Sequence, residues 1–182
     1  MPSELTYIEA EALATFVDED GYTVELIEDY TQRFQEKYKN FPSSIIQQWF
    51  YEHRETIHRY SWLDYSSMEF ELTSMTTKSL QQTCLSKNPT IAQYQLHFET
   101  NNTSIRMARI ADYICKFGTW PIPPILLTNL NEKVLFPCGS PCDSPLHLLE
   151  GHHRFAVFLA FAKSGSIKDQ HQVWIAYTKN SN

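Results

Sequence analysis

The sequence predicts an α+β fold: a helical N-terminal portion packed on a small mixed β-sheet domain. Three observations lead to that class. Apolar residues recur at helical spacing within residues 1–60, period-two alternation first appears at Met68–Thr73, and the most hydrophobic helix-like run, Phe155–Ala162, follows a short apolar strand and a glycine. A chain of 182 residues, 42% hydrophobic and 14% aromatic, suffices for one well-buried core. The layout expected is an acidic helical portion over residues 1–60 and an α+β domain over residues 61–182. No Pro/Gly-rich linker separates them, so they form one compact unit.

In chain order, Ser3 is placed to cap a helix from about Glu4 to Val17, and Asp18-Glu19-Asp20-Gly21 to end it in a turn. Between Thr23 and Lys39, Val24, Ile27, Phe34 and Tyr38 fall on one helical face, with Lys37 and Lys39 at the C-terminal end, where the helix dipole favours cations. Ser43 caps a third helix with a stripe through Ile46, Trp49 or Phe50, His53, Ile57 and Tyr60. Its aromatic residues read as core, and His53 and His58, five apart, read as ordinary boundary histidines. Met68–Thr73 and Gln93–Glu99 alternate with period two and predict strands, with a short helix between them. Ser104 caps a helix ended by Gly118. A proline-led strand over Trp120–Thr128, a short return strand over Val134–Phe136, a strand over Leu146–Glu150, the buried helix and a last strand over Gln172–Tyr177 complete the pattern.

Charge and cysteine content narrow the partners. Of the net −6, residues 1–60 carry 12 Asp+Glu against 5 Lys+Arg, while residues 61–182 are nearly balanced. With no basic run, direct nucleic-acid binding is not expected. The acidic helices suit either a solvated surface or a basic protein partner, such as a toxin neutralised by an immunity or antitoxin protein. No stretch approaches the roughly 18 apolar residues of a membrane span, and Met1-Pro2-Ser3-Glu4-Leu5 has no signal-like composition, so a cytoplasmic protein is expected. Cys84, Cys115, Cys138 and Cys142 read as free thiols, and Cys138-Gly-Ser-Pro-Cys142 lacks the second knuckle of a structural zinc site, so no zinc is expected.

The chemistry-bearing stretch is Leu148-Leu149-Glu150-Gly151-His152-His153-Arg154-Phe155. A strand that ends in glycine and opens a helix presents free backbone N–H groups and the positive end of the helix dipole to whatever lies outside, which favours an anion. His152, His153 and Arg154 add side-chain donors there. The other reading of the same residues is structural: Glu150 and Arg154, four apart, pair with each other, and His153 satisfies a buried carbonyl.

Over Ile105–Lys163, this helix, the Pro123-Pro124-Ile125-Leu126-Leu127 strand and the Glu150-Gly151-His152-His153-Arg154 turn resemble the ParB/sulfiredoxin superfamily. In that family an acidic-Gly-x-x-Arg turn opens a helix and holds nucleotide phosphates. The resemblance spans about residues 105–178 if the last strand belongs. It implies phosphate or nucleotide binding by Gly151, His152, His153 and Arg154, catalytic roles for Glu150 and His152, and ATP, ADP or CTP with magnesium as cofactor. His152 stands where sulfiredoxins carry a reactive cysteine, so sulfinic-acid reduction is not implied. The helix-turn-helix that follows this module in chromosome-segregation ParB proteins has too little chain left to form after Lys163. Related ParB-like kinases keep phosphoryl transfer or hydrolysis in view, with Glu132 or Asp143 as a second carboxylate for magnesium or proton transfer.

Overall fold

The computed structural model describes residues 5–83 and 88–178, so the cap expected of Ser3 and the thiol of Cys84 lie outside the described residues. It is an α+β structure built on a four-stranded mixed sheet in the order β1-β4-β2-β3. The strands are β1 (Glu69–Thr76), β2 (Ile125–Thr128), β3 (Leu146–Glu150) and β4 (Gln170–Tyr177). β1 runs antiparallel to β4, β4 parallel to β2, and β2 antiparallel to β3.

The helices divide between the two faces of this sheet. On one lie α1 (Tyr7–Leu13), α2 (Ile27–Lys37), α3 (Ser43–Ile46) with the π-helical turn Gln47–Tyr51 that continues it, and α4 (Thr56–Arg59). On the other lie α5 (Thr77–Gln82), α6 (Pro89–Glu99), α7 (Ile105–Phe117) and α8 (His152–Ser164). Strand alternation sorts the core accordingly. Ile125, Leu127, Leu149 and Ala176 join the aromatic cluster of Tyr30, Phe34, Phe41, Trp49, Phe50 and Tyr65, whereas Leu126, Leu148, Val173 and Ile175 join Ile110, Ile114, Phe155 and Phe158. Each large apolar side chain, once buried, contributes about 1.5–3 kcal/mol; β2 and β3 are buried on both faces, whereas the edge strand β1 is exposed or half-buried along its length.

Several expectations are corrected. The first helix is shorter than Glu4–Val17 and starts at Thr6, whose hydroxyl accepts from the Glu9 amide while the Glu9 carboxylate accepts from the Thr6 amide. The second begins at Ile27, not Thr23, because Val17 and Thr23 pair as a small hairpin across Asp18–Gly21. Pro42, not Ser43, holds the cap position of the third, and that helix breaks at the π-helical turn and again before Thr56. Gln93–Glu99 is helical, not a strand. The Asn88 side chain caps it and Pro89 starts it, so local capping overrides an alternation in which Leu96 faces solvent at 58% exposure. β2 begins only after Pro124, since prolines donate no ladder bond, and Val134–Phe136 reduces to a single bridge between Leu135 and Pro141. Met68–Thr73, the helix capped by Ser104 and closed by Gly118, Leu146–Glu150 and the α8–β4 unit match their expected places.

Candidate functional site

The junction of β3 and α8 opens onto a cavity of about 510 Å3. Its far wall is the N-terminal layer: Trp49 of the π-helical turn, Glu52, His53 and Glu55 after it, and Arg59 with Tyr60. Its near wall is Leu149–Arg154, and Tyr94 of α6 and Arg106 with Ile110 of α7 close the sides. The site therefore depends on both helical layers, not on the strand–turn–helix alone.

Gly151 makes the turn. Its φ of +105° lies in the left-handed region, and a Cβ there would meet Pro124 Cβ at 2.8 Å and Arg154 Nε and Nη2 at 3.2 Å. Only glycine lets the chain enter α8 this close to both groups. No side chain caps α8 and no acidic residue stands in its first turn, so its dipole end is not neutralised from within the helix.

Arg154 is 9% exposed. Its Nη2 donates to Gln48 Oε1 at 3.0 Å and pairs with the Glu150 carboxylate, while Nε has no partner. Burial pushes its pKa down to about 10, with the Arg106 charge adding to that and Glu52 opposing it. It stays charged at neutral pH. Two other buried donors in the same neighbourhood also lack acceptors, Gln48 Nε2 and Trp49 Nε1. Buried polar groups normally find partners, so these donors are left over although the carboxylates of Glu52, Glu55 and Glu150 line the same opening.

Burial acts on the imidazoles too. Burial lowers His152 to about 4, and the neighbouring His147, His153 and Arg59 lower it further against a partial pull from Asp143. His153 and His53 are lowered too, by burial first and then by Arg106. His153 does not satisfy a buried carbonyl; its ring lies against Tyr94 with centroids 4.2 Å apart. His53, part-buried as expected of a boundary histidine, also lines the cavity.

The structure brings Glu150, Gly151, His152, His153 and Arg154 together around one opening. It does not bring in Glu132 or Asp143. Glu132 sits at φ +54° in an exposed turn, and Asp143 bonds His147 at 3.0 Å and Asn88 at 3.5 Å outside the cavity lining. The carboxylates that do line it are Glu52 and Glu55 beside Glu150. Trp49, Glu52, His53 and Glu55 were missed because they lie a hundred residues upstream. The one local signal was the Gln47-Gln48 pair in the apolar run Ile45–Phe50, where Gln48 is buried and accepts from Arg154.

Chemically the pocket suits an anion with several acceptor oxygens, held by the first turn of α8, by Arg154 and by the Trp49 and histidine N–H groups. Among the described residues no group of three or more His, Cys, Asp or Glu side chains is arranged to hold a metal ion. Of the Cys138–Cys142 loop, Cys138 is exposed and Cys142 buried. No helix is long and apolar enough to cross a membrane among the described residues. Comparison with protein-family models, curated proteins and solved structures finds no match, so the functional reading rests on this geometry.

Proposed function

We propose that the cavity at the N-terminus of α8 binds a nucleotide or another phosphorylated small molecule, with the phosphate against Gly151, His152, His153 and Arg154, in the manner implied by the ParB/sulfiredoxin resemblance of this turn. The observation that carries the reading is the unpartnered, buried Nε of Arg154, a cavity residue, beside Trp49 of the same lining, whose Nε1 also lacks an acceptor. A phosphate supplies several acceptor oxygens and the negative charge that a desolvated guanidinium and an uncapped helix start favour.

In this reading Glu150 is a positioning residue: it is paired with Arg154 and aims the guanidinium. His152, uncharged at neutral pH through burial, is the group that would accept a proton from an attacking hydroxyl or water in phosphoryl transfer or hydrolysis. Magnesium would enter only with a nucleotide, where it would neutralise phosphate charge, and Glu52 and Glu55 of the cavity lining would hold it.

Titration calorimetry with inorganic phosphate, ADP, ATP and CTP, each with and without magnesium, tests this. Binding heat for at least one nucleotide is expected, accompanied by proton uptake as the anion raises the histidine pKa values. Replacing Arg154 and Glu150 together (Arg154→Met with Glu150→Gln) should weaken binding at least about 30-fold, the equivalent of about 2 kcal/mol for a charged hydrogen bond. Absence of heat with every ligand, or equal heat in the double variant, would overturn the reading.

A further inference from the structure

A second surface lies far along the sequence from the phosphate site. Residues 5–29 contain eight acidic residues and no Lys or Arg. Within them a hairpin forms around the Val17–Thr23 bridge, with the Asp18 amide donating to the Tyr22 carbonyl at 2.9 Å and the Val24 amide to the Phe16 carbonyl at 3.0 Å. In an antiparallel pair of this register, residues 16, 18, 22 and 24 share a face, and Leu26 follows beyond a bend at Glu25 as the cap of α2. Phe16 at 55%, Tyr22 at 72% and Val24 at 60% are large, apolar and exposed, and Leu26 next to them is exposed at 65%. Isolated exposed apolar residues are ordinary, but four within eleven residues around one hairpin are not.

The hairpin is tied to α2 through Arg33. Arg33 bonds the Ala12 and Ala14 carbonyls at 2.7 and 2.9 Å and forks onto Glu25, and its guanidinium lies 4.5 Å from the Phe16 ring centre. The Tyr51 hydroxyl donates to the Glu25 carbonyl at 2.8 Å. A preformed apolar face loses little conformational freedom on binding.

We infer that the hairpin face of Phe16, Tyr22 and Val24, with Leu26 next to it, docks a cationic amphipathic segment of a partner protein, its apolar side on these residues and its basic side toward Asp18, Glu19, Asp20 and Glu28. Charge decides the occupant. Two copies of this chain would bring the same carboxylates face to face, and an anionic membrane or a nucleic acid is repelled by them, whereas a basic segment is drawn in.

Fluorescence anisotropy with an amphipathic Lys/Leu helical peptide of about eighteen residues tests this against a Lys/Ser peptide of equal charge and a Glu/Leu peptide of equal hydrophobicity. The Lys/Leu peptide should bind best. Its affinity should fall at least about 10-fold in the Tyr22→Ser, Val24→Ser, Leu26→Ser triple variant, and similarly when NaCl rises from about 0.05 to 0.5 M. The exposed charge variant Glu19→Lys with Asp20→Lys should also weaken it, which keeps the test valid if the triple variant misfolds. Equal binding of the Glu/Leu peptide, unchanged affinity in both variants, or self-association through this face in sedimentation would overturn the proposal.

Discussion

Two arginines, one in each half of the chain, are paired with a carboxylate and differ in burial and in what is left over: Arg33 is part-buried and Arg154 buried. Arg33 uses its guanidinium fully: Nε and Nη2 fork onto Glu25 at 2.8 Å each, and Nη1 and Nη2 reach two backbone carbonyls. Its pKa is raised by the Glu25 hydrogen bonds. Burial alone would raise Glu25, yet Arg33 and the Phe16 amide hold it below its ordinary value. Arg154 is the more deeply buried of the two, its pKa is lowered instead of raised, and it keeps an unpartnered Nε in a cavity wall. A satisfied arginine closes a structure. An arginine buried with a donor to spare is held at a cost to stability, and under the proposed function a ligand would complete the set.

The largest expected effect breaks the comparison at Arg33. Arg33→Ala leaves Glu25, whose side chain is only 6% exposed, without its cation and unclamps the hairpin. A loss of about 3 kcal/mol in urea denaturation is expected, with phosphate binding unchanged. The contrasting pair, Glu150→Gln with Arg154→Met, removes a desolvated charge and its partner together and should shift stability by less than about 1 kcal/mol while abolishing ligand affinity. Equal destabilisation by the two substitutions would show that Arg154 is as structural as Arg33.

Acid separates the two regions next. His152 titrates near 4 in the folded chain and near its ordinary value of about 6.5 when unfolded, so between those values the unfolded state holds the extra proton. Stability is full above about pH 6.5, falls as pH drops toward 4 and falls no further below it from this group; the loss is at most about 3 kcal/mol. His53, His147, His153 and His171 are lowered as well and act with the same sign. Glu25, itself lowered, loses its contribution only as pH falls through its folded value, below most of this window. Denaturation at pH 7 and pH 4.5, with histidine ring signals followed by NMR, should therefore show the site loosening before the Arg33 clamp. Phosphate added near pH 5.5 should oppose the loss.

What could be read in advance follows the same division. The α8 junction was legible because its causes are local: an apolar strand, a glycine whose φ must be positive, and a helix start without acids. Helices ended by glycine and the final strand were legible for the same reason. The other cavity wall was not, because Trp49 reaches it through a π-helical turn that depends on packing against the sheet. Glu132 and Asp143 looked available from their nearness in sequence, but a loop folded onto His147 withholds Asp143. The α6 segment failed because Tyr94, Leu96 and Phe98 alternate in sequence, while Asn88 and Pro89 two turns earlier had already set a helix.

That misread helix supplies the smallest expected effect. Tyr94 stacks on His153 and lines the cavity, and neither residue has a role in closing the sheet. Tyr94→Leu keeps the apolar bulk of the α6 surface but removes a ring contact worth about 0.5–1.5 kcal/mol. If His153 faces a phosphate, freeing its ring should weaken binding by about 2- to 10-fold and leave urea stability within about 0.5 kcal/mol, because Tyr94 is only partly buried against the core and leucine keeps that apolar contact. If the substitution instead destabilises the fold and leaves affinity alone, the α6 wall belongs with Arg33 among the structural parts. The site then contracts to the β3–α8 turn and the π-helical turn that faces it.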